Sequence, residues 1–180
     1  MSFSQVKSTL EIKLIWVCRF VLACCFFFPA CQPKEASGSG EDSRGKLRLE
    51  AEFTDLDQQK FNLSDFKGRP IVLHFWATWC KPCIEEFPSL REAQPRLEKE
   101  NVQFLIASDE ELGLIEKFQK RFQTGLNLIQ LSKGSLSEFG IYALPTTLIL
   151  NEEGEQIHRI SGKIDWSKIE SFGDLKSDQP

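Results

Sequence analysis

Two cysteines, Cys80 and Cys83, stand two residues apart and carry the strongest chemical signal in the chain. A C-x-x-C pair can be a redox couple, a structural disulfide or half of a zinc site. Its setting narrows the choice. Ile71–Ala77 (IVLHFWA) is a nearly continuous apolar run, as in a strand covered on both faces. From about Lys81 to Glu100 an apolar stripe of Phe87, Leu90, Ala93 and Leu97 continues from Cys83, which predicts a helix. The pair therefore opens a helix at the end of a buried strand. Unpaired N–H groups and the helix dipole stabilise a thiolate there, and the thiolate is the nucleophile. Cys80 is expected to be exposed at this helix end, with the second sulfur within disulfide range one turn on. Pro82 is tolerated because its missing N–H has no helical partner. Lys81 adds a nearby positive charge. A zinc site would need two further ligands, and downstream of residue 31 His74 and His158 are the only histidines.

Two other side chains are chemical candidates. Glu86 is either a solvated helix residue or a partly buried acid that assists deprotonation of Cys83. His74 shares a face of its strand with Trp76 by period-2 alternation. It is either a hydrogen-bonded core histidine or, since histidine titrates near neutrality, a proton relay for Cys83. His158 reads as a surface residue.

The elements around this centre follow from hydrophobic periodicity. Leu47, Leu49, Ala51 and Phe53 alternate with polar residues as in a half-buried strand, and Gln59–Leu63 can pair with it as a hairpin. Pro88 and Pro95 interrupt the helix that Cys80 opens, so a kink near Glu85 and a break or second kink near Arg91 are expected. Val102–Ala107 is the next buried strand. Ser108 and Glu111 have capping-box spacing and predict a helix to about Phe122, with Leu112, Ile115 and Phe118 on its packed face. Leu126–Leu131 reads as a strand and Ser135–Tyr142 as a short helix. Thr146–Leu150, a turn at Asn151–Gly154 and Glu155–Ser161 form a late hairpin, and a last helix starts after Asp165. The order is that of an α/β protein with a mixed sheet.

The N-terminus reads as an address and a tether. Lys7, Lys13 and Arg19 precede the apolar run Phe20–Ala30, which ends on a small residue before Cys31. Residues 1–30 thus resemble a secretory signal, too short in its apolar part to span a bilayer. A cysteine directly after such a cut resembles the lipobox of bacterial lipoproteins. Cys31 is the expected lipidation site and Cys24 the competitor. Residues 31–45 form the linker; its stretch Lys34–Gly45 is polar and Gly/Ser-rich, with a reach of ~20 Å. Residues 46–180 form one domain.

Composition fits this reading. The chain has 180 residues, 41% hydrophobic and 27% charged, with a formal charge of −4. That is one globular domain and not a disordered chain. A pI near 5.4 argues against general nucleic-acid binding. Four of the six cysteines lie in the first 31 residues, which excludes a disulfide-stapled scaffold.

The motif FWATWCKPC, the following Glu85-Glu86-Phe87-Pro88, and Leu144-Pro145-Thr146-Thr147 together resemble the thioredoxin superfamily, and more narrowly the TlpA/ResA-type membrane-anchored thioredoxins. The resemblance covers Lys46 to the C-terminus. It implies a thioredoxin fold with an added N-terminal β-hairpin and a helical insert at about Asp109–Phe122. It implies thiol–disulfide exchange, with Cys80 as attacking and Cys83 as resolving cysteine and Pro145 as a cis-proline facing them. Trp79 and Leu144 would contact the substrate, and Glu86 is the acid near the active site. No cofactor or metal is implied. The expected partners are extracytoplasmic proteins bearing disulfides and a membrane thiol electron donor, and the expected action is reduction, with cytochrome c maturation as a possible destination. A disulfide oxidant and a non-catalytic thioredoxin-fold adaptor are the alternatives. A peroxiredoxin would want its cysteine in a different local motif.

Overall fold

The structure, a computed structural model, describes residues 50–176. The predicted leader, the linker with Cys24 and Cys31, and the first four residues of the domain lie outside the described residues. So does the extreme C-terminus.

Seven strands form one sheet: β1 (Glu52–Asp55), β2 (Lys60–Asn62), β3 (Ile71–Phe75), β4 (Gln103–Ser108), β5 (Leu128–Lys133), β6 (Thr146–Leu150) and β7 (Gln156–Ser161). Their order is β2-β1-β5-β4-β3-β6-β7. β3, β4 and β5 run parallel, while β1–β2, β1–β5, β3–β6 and β6–β7 are antiparallel. This is the thioredoxin arrangement with a hairpin added through β5, as the motifs implied.

All five residues of β3 are buried, as its apolar run requires of a central strand. Ile71, Leu73 and Phe75 enter one core with Phe53, Phe139 and Leu148. Val72 and Trp76 enter the other, under the helices, with Phe87, Leu90, Phe118 and Trp166. His74 lies on this second side, edge-on to Trp166 at 5.7 Å.

Helix α1 (Lys81–Lys99) runs as one helix of 19 residues through both Pro88 and Pro95. Of the break or second kink expected near Arg91, the break does not occur. Each proline removes one N–H, leaving the carbonyls of Ile84 and Arg91 without their i+4 donors, at a cost of ~3 kcal/mol apiece. Phe87, Leu90, Ala93 and Leu97 are buried on either side of these positions. Burying one such large side chain contributes ~1.5–3 kcal/mol, so the stripe holds the helix together across the prolines.

Helix α2 (Leu112–Phe122) lies in the expected insert, with Ile115 and Phe118 buried. Its capping differs from the expectation. Ser108 belongs to β4 and its Oγ bonds Glu110, whereas the N-cap is Glu111 and makes no side-chain cap bond. Ser135–Tyr142 is not a helix but successive turns, closed by Glu138 N–H to Ser135 O at 3.1 Å and Gly140 N–H to Ser137 O at 2.9 Å. Beyond Asp165 the chain forms two short 3-10 helices, Trp166–Lys168 and Phe172–Lys176, rather than one α-helix. No helix among the described residues is long and apolar enough to cross a membrane.

Candidate active site

Cys80 is the N-cap of α1 and is bonded to Cys83, with an S–S distance of 1.98 Å and Cα atoms 5.3 Å apart. The Cys83 N–H donates to Cys80 Sγ at 3.3 Å and the Ile84 N–H to the Cys80 carbonyl at 3.1 Å. Backbone donors at the helix start are therefore aimed at Cys80, the arrangement that favours a thiolate once the bond is reduced. Pro82 occupies the first turn, where no N–H is needed.

One expectation fails here. Cys80 is not exposed but retains only 3% of its accessible surface. Both cysteines belong to the helix-side core, and Leu144, half-buried, packs against that core. The neighbour Trp79 is the exposed residue, at 72%. The N-terminal placement of the pair was legible; the cover over it was not.

The Leu144–Pro145 peptide bond is cis. Antiparallel pairing sets Thr146 opposite Phe75, so residues 142–145 and residues 76–80 leave the sheet at the same end. Gly162 N–H donates to the Pro145 carbonyl at 2.8 Å, and Thr146 Oγ1 donates to the Ala143 carbonyl at 2.8 Å, which fixes the loop. Tyr142, 87% exposed, stands just before it and was not singled out by sequence. A cavity of about 540 Å³, lined by Phe61, Phe66, Phe104 and Leu128 among others, lies at the opposite end of the sheet and takes no part in this centre.

Glu86 is buried, not solvated, with 1% of its surface accessible. Burial pushes its carboxyl up to about 7, against the opposing pull of the Ile164 N–H, the Trp166 indole and the Lys163 charge. Its Oε1 accepts a hydrogen bond from the Ile164 backbone. Its neighbour Glu85 faces outward and pairs with Lys163 at 2.9 Å.

His74 is fully buried, and desolvation lowers its pKa to about 3. The imidazole is thus neutral at any physiological pH and does not relay protons by titrating near neutrality. The core reading holds: Nδ1 lies 2.9 Å from Thr147 Oγ1. His158 is half-buried on β7, at the edge of the sheet.

Glu110 is a residue that sequence reasoning missed. One carboxylate oxygen accepts the Thr78 N–H at 2.6 Å and the other the Thr78 hydroxyl at 2.7 Å, while Ser108 Oγ bonds the first at 3.1 Å. It ties the segment before Cys80 to the end of β4. Its only sequence signal was an acid just after a buried strand. Among the described residues no group of His, Cys, Asp and Glu is placed to hold a metal ion.

The geometry agrees with known proteins. The AhpC/TSA family profile matches residues 45–158. The chain is 30% identical over 122 residues to the thiol–disulfide oxidoreductase ResA of Bacillus thuringiensis, covering 66% of this chain and 70% of that protein. It is 36% identical over 122 residues to ResA of Geobacillus kaustophilus, covering 66% and 69%. Among solved structures, the exposed lipoprotein thioredoxin Etrx1 of Streptococcus pneumoniae superimposes with a TM-score of 0.58 at 24% identity, covering 69% of this chain and 96% of that one. The shared fold, the two ResA relatives and the matching profile lead to one conclusion: the chain belongs to the AhpC/TSA family, among its thioredoxin-like thiol–disulfide oxidoreductases.

Proposed function

We propose that the protein is an extracytoplasmic reductant of protein disulfides, tethered to a bacterial membrane by a lipid on Cys31. The observation that carries the reading is the Cys80–Cys83 disulfide at the start of α1, on the same end of the sheet as the cis Leu144–Pro145 bond. In the reduced protein the Cys80 thiolate attacks a partner disulfide, forming a mixed disulfide and expelling one partner thiolate. The Cys83 thiolate then attacks Cys80 Sγ, expels the second partner thiolate and restores the Cys80–Cys83 bond. Two electrons pass to the partner. Glu86, buried on α1 three residues after Cys83, takes the Cys83 proton; a carboxyl held near 7 can do so at neutral pH. Trp79 and Leu144 contact the incoming chain, and the Leu144 backbone pairs with it like an added strand. A membrane thiol donor re-reduces the pair, and cytochrome c maturation is one destination for the electrons.

The signal-like segment 1–30 and the names of relatives support the location: one solved relative is described as an exposed lipoprotein. The test is the reduction potential of the Cys80–Cys83 pair, from equilibration in thiol redox buffers with free thiols trapped and counted. A value near or below about −270 mV is expected of a reductant, and one near about −120 mV would make the protein an oxidant. A pair that cycles in buffer but transfers nothing to protein disulfides would leave the adaptor reading.

A further inference from the structure

The Glu86 carboxyl is gripped on one oxygen and faced on the other. Oε1 holds the Ile164 N–H. Oε2 is buried with no hydrogen-bond partner, and 3.7 Å away is His74 Nε2, also buried and also without one. The opposite ring nitrogen, Nδ1, lies 2.9 Å from the Thr147 hydroxyl. The Trp166 ring stands edge-on to the imidazole at 5.7 Å. Four separate segments, β3, α1, β6 and the chain after β7, thus meet at one buried polar point on the helix side of the sheet.

We propose that His74 is a positioning residue for Glu86, its Nε2–H holding the second carboxylate oxygen while the Thr147 hydroxyl, donating to Nδ1, fixes that tautomer. The inference rests on reading Glu86 as the acceptor of the Cys83 proton. Once Glu86 is ionised, the opposite tautomer would set a nitrogen lone pair against a carboxylate oxygen, so in that form Nε2 is the nitrogen that carries the proton. At 3.7 Å the contact is longer than a hydrogen bond, and a shift of under about 1 Å closes it once Glu86 is ionised. The other charges near Glu86 do not do this work. Lys163, on the loop after β7, is half-exposed and paired with Glu85 of α1, and Asp165 faces Lys163 from the next turn. β3 and β6 bring only His74 and Thr147 to it. Burial alone pushes a carboxyl up without limit set by function. Beside the Ile164 N–H and the Trp166 indole, a neutral donor on the second oxygen restrains that rise further and keeps Glu86 able to accept a proton near neutrality.

The test follows the Glu86 side-chain carboxyl by carbon NMR against pH in the oxidised full chain in detergent, the resonance being assigned by its loss in Glu86→Gln. The wild-type midpoint is expected near 7. His74→Leu should move it up by about one pH unit, because the carboxylate loses a hydrogen-bond donor. Thr147→Val, which keeps the shape and removes the hydroxyl, should move it the same way by less. If both variants fold and neither midpoint moves, the proposal is overturned. If His74→Leu does not fold, Thr147→Val decides alone. Lost thermal stability with an unmoved midpoint makes His74 an ordinary core side chain and also overturns it. The titration involves no partner and no electron transfer. If Glu86→Gln leaves the pH profile of disulfide exchange unaltered, the role of Glu86 in the reaction fails while the midpoints still judge His74.

Discussion

Replacing Glu86 by glutamine should change how the stability of the oxidised protein responds to pH. Burial raises the Glu86 carboxyl to about 7 from 4.5 and lowers His74 to about 3 from 6.5. Stability rises with pH where the unfolded chain binds more protons and falls where the folded chain binds more, by ~1.4 kcal/mol per pH unit per proton. Between pH 3 and 6.5 the unfolded chain carries a proton on the His74 position that the folded protein lacks, so stability rises. Between pH 4.5 and 7 the folded protein keeps a proton on Glu86 that the unfolded chain has released, so stability falls. From pH 4.5 to 6.5 the two slopes offset one another, and the wild type should be nearly flat. Glu86→Gln removes the falling slope alone. Its stability relative to wild type should therefore grow from pH 4.5 to 7, by a total on the order of 3 kcal/mol. The exposed carboxylates Glu52, Glu85, Asp165 and Asp174 are held below their usual range by their partners, but both proteins share them and the difference cancels them. Urea unfolding at half-unit pH steps measures the two profiles. Profiles that run parallel from pH 4.5 to 8 would refute the buried-acid account of Glu86.

Other expectations follow from single contacts. Cys83→Ser should trap a Cys80-linked mixed disulfide with a partner protein, visible on a non-reducing gel, and Cys80→Ser should trap none; the opposite pattern would reverse the two roles. Glu110→Ala strips three side-chain contacts from Thr78 and Ser108. It should cost about 2–3 kcal/mol in urea unfolding and slow exchange, and an unchanged unfolding midpoint would show the tie to be idle. Trp79→Ala removes a side chain that is 72% exposed, so stability should hold within about 0.5 kcal/mol. KM for a protein disulfide should rise several-fold while turnover of a small aromatic disulfide stays unchanged; equal effects on both would place Trp79 outside the docking surface.

What was legible in the chain was local. β3 announced itself as a nearly continuous apolar run, the late hairpin by Asn151–Gly154, and the cysteine pair by its position between strand and helix. The cis bond came from resemblance, since no spacing rule predicts it. The errors share a cause, which is that tertiary contacts overrode local preference. Pro95 could have ended α1 near Arg91 and did not, because the stripe from Phe87 to Leu97 is buried on both sides of the prolines. Ser108 offered a capping box to Glu111, but the strand claimed it and Glu110 took its hydroxyl. For Glu86 the sequence left a solvated and a buried reading open, and helical rotation decides between them, sending Glu85 to solvent and Glu86 into the core. His74 titrates near neutrality only in water, and the sequence carries no measure of how dry its surroundings are.

The register of the added hairpin sets where the chain enters the domain. Glu52 pairs with Lys133 at the end of β5, and β5 runs parallel to β4 and β3. The chain therefore enters β1 at the same end of the sheet at which β3 delivers Cys80. β1 is three strands from β3 in the sheet order, about 14 Å at the usual strand spacing. The domain is therefore entered beside its reactive face rather than behind it, and a partner docking on Cys80 and Leu144 has the start of β1 for a neighbour.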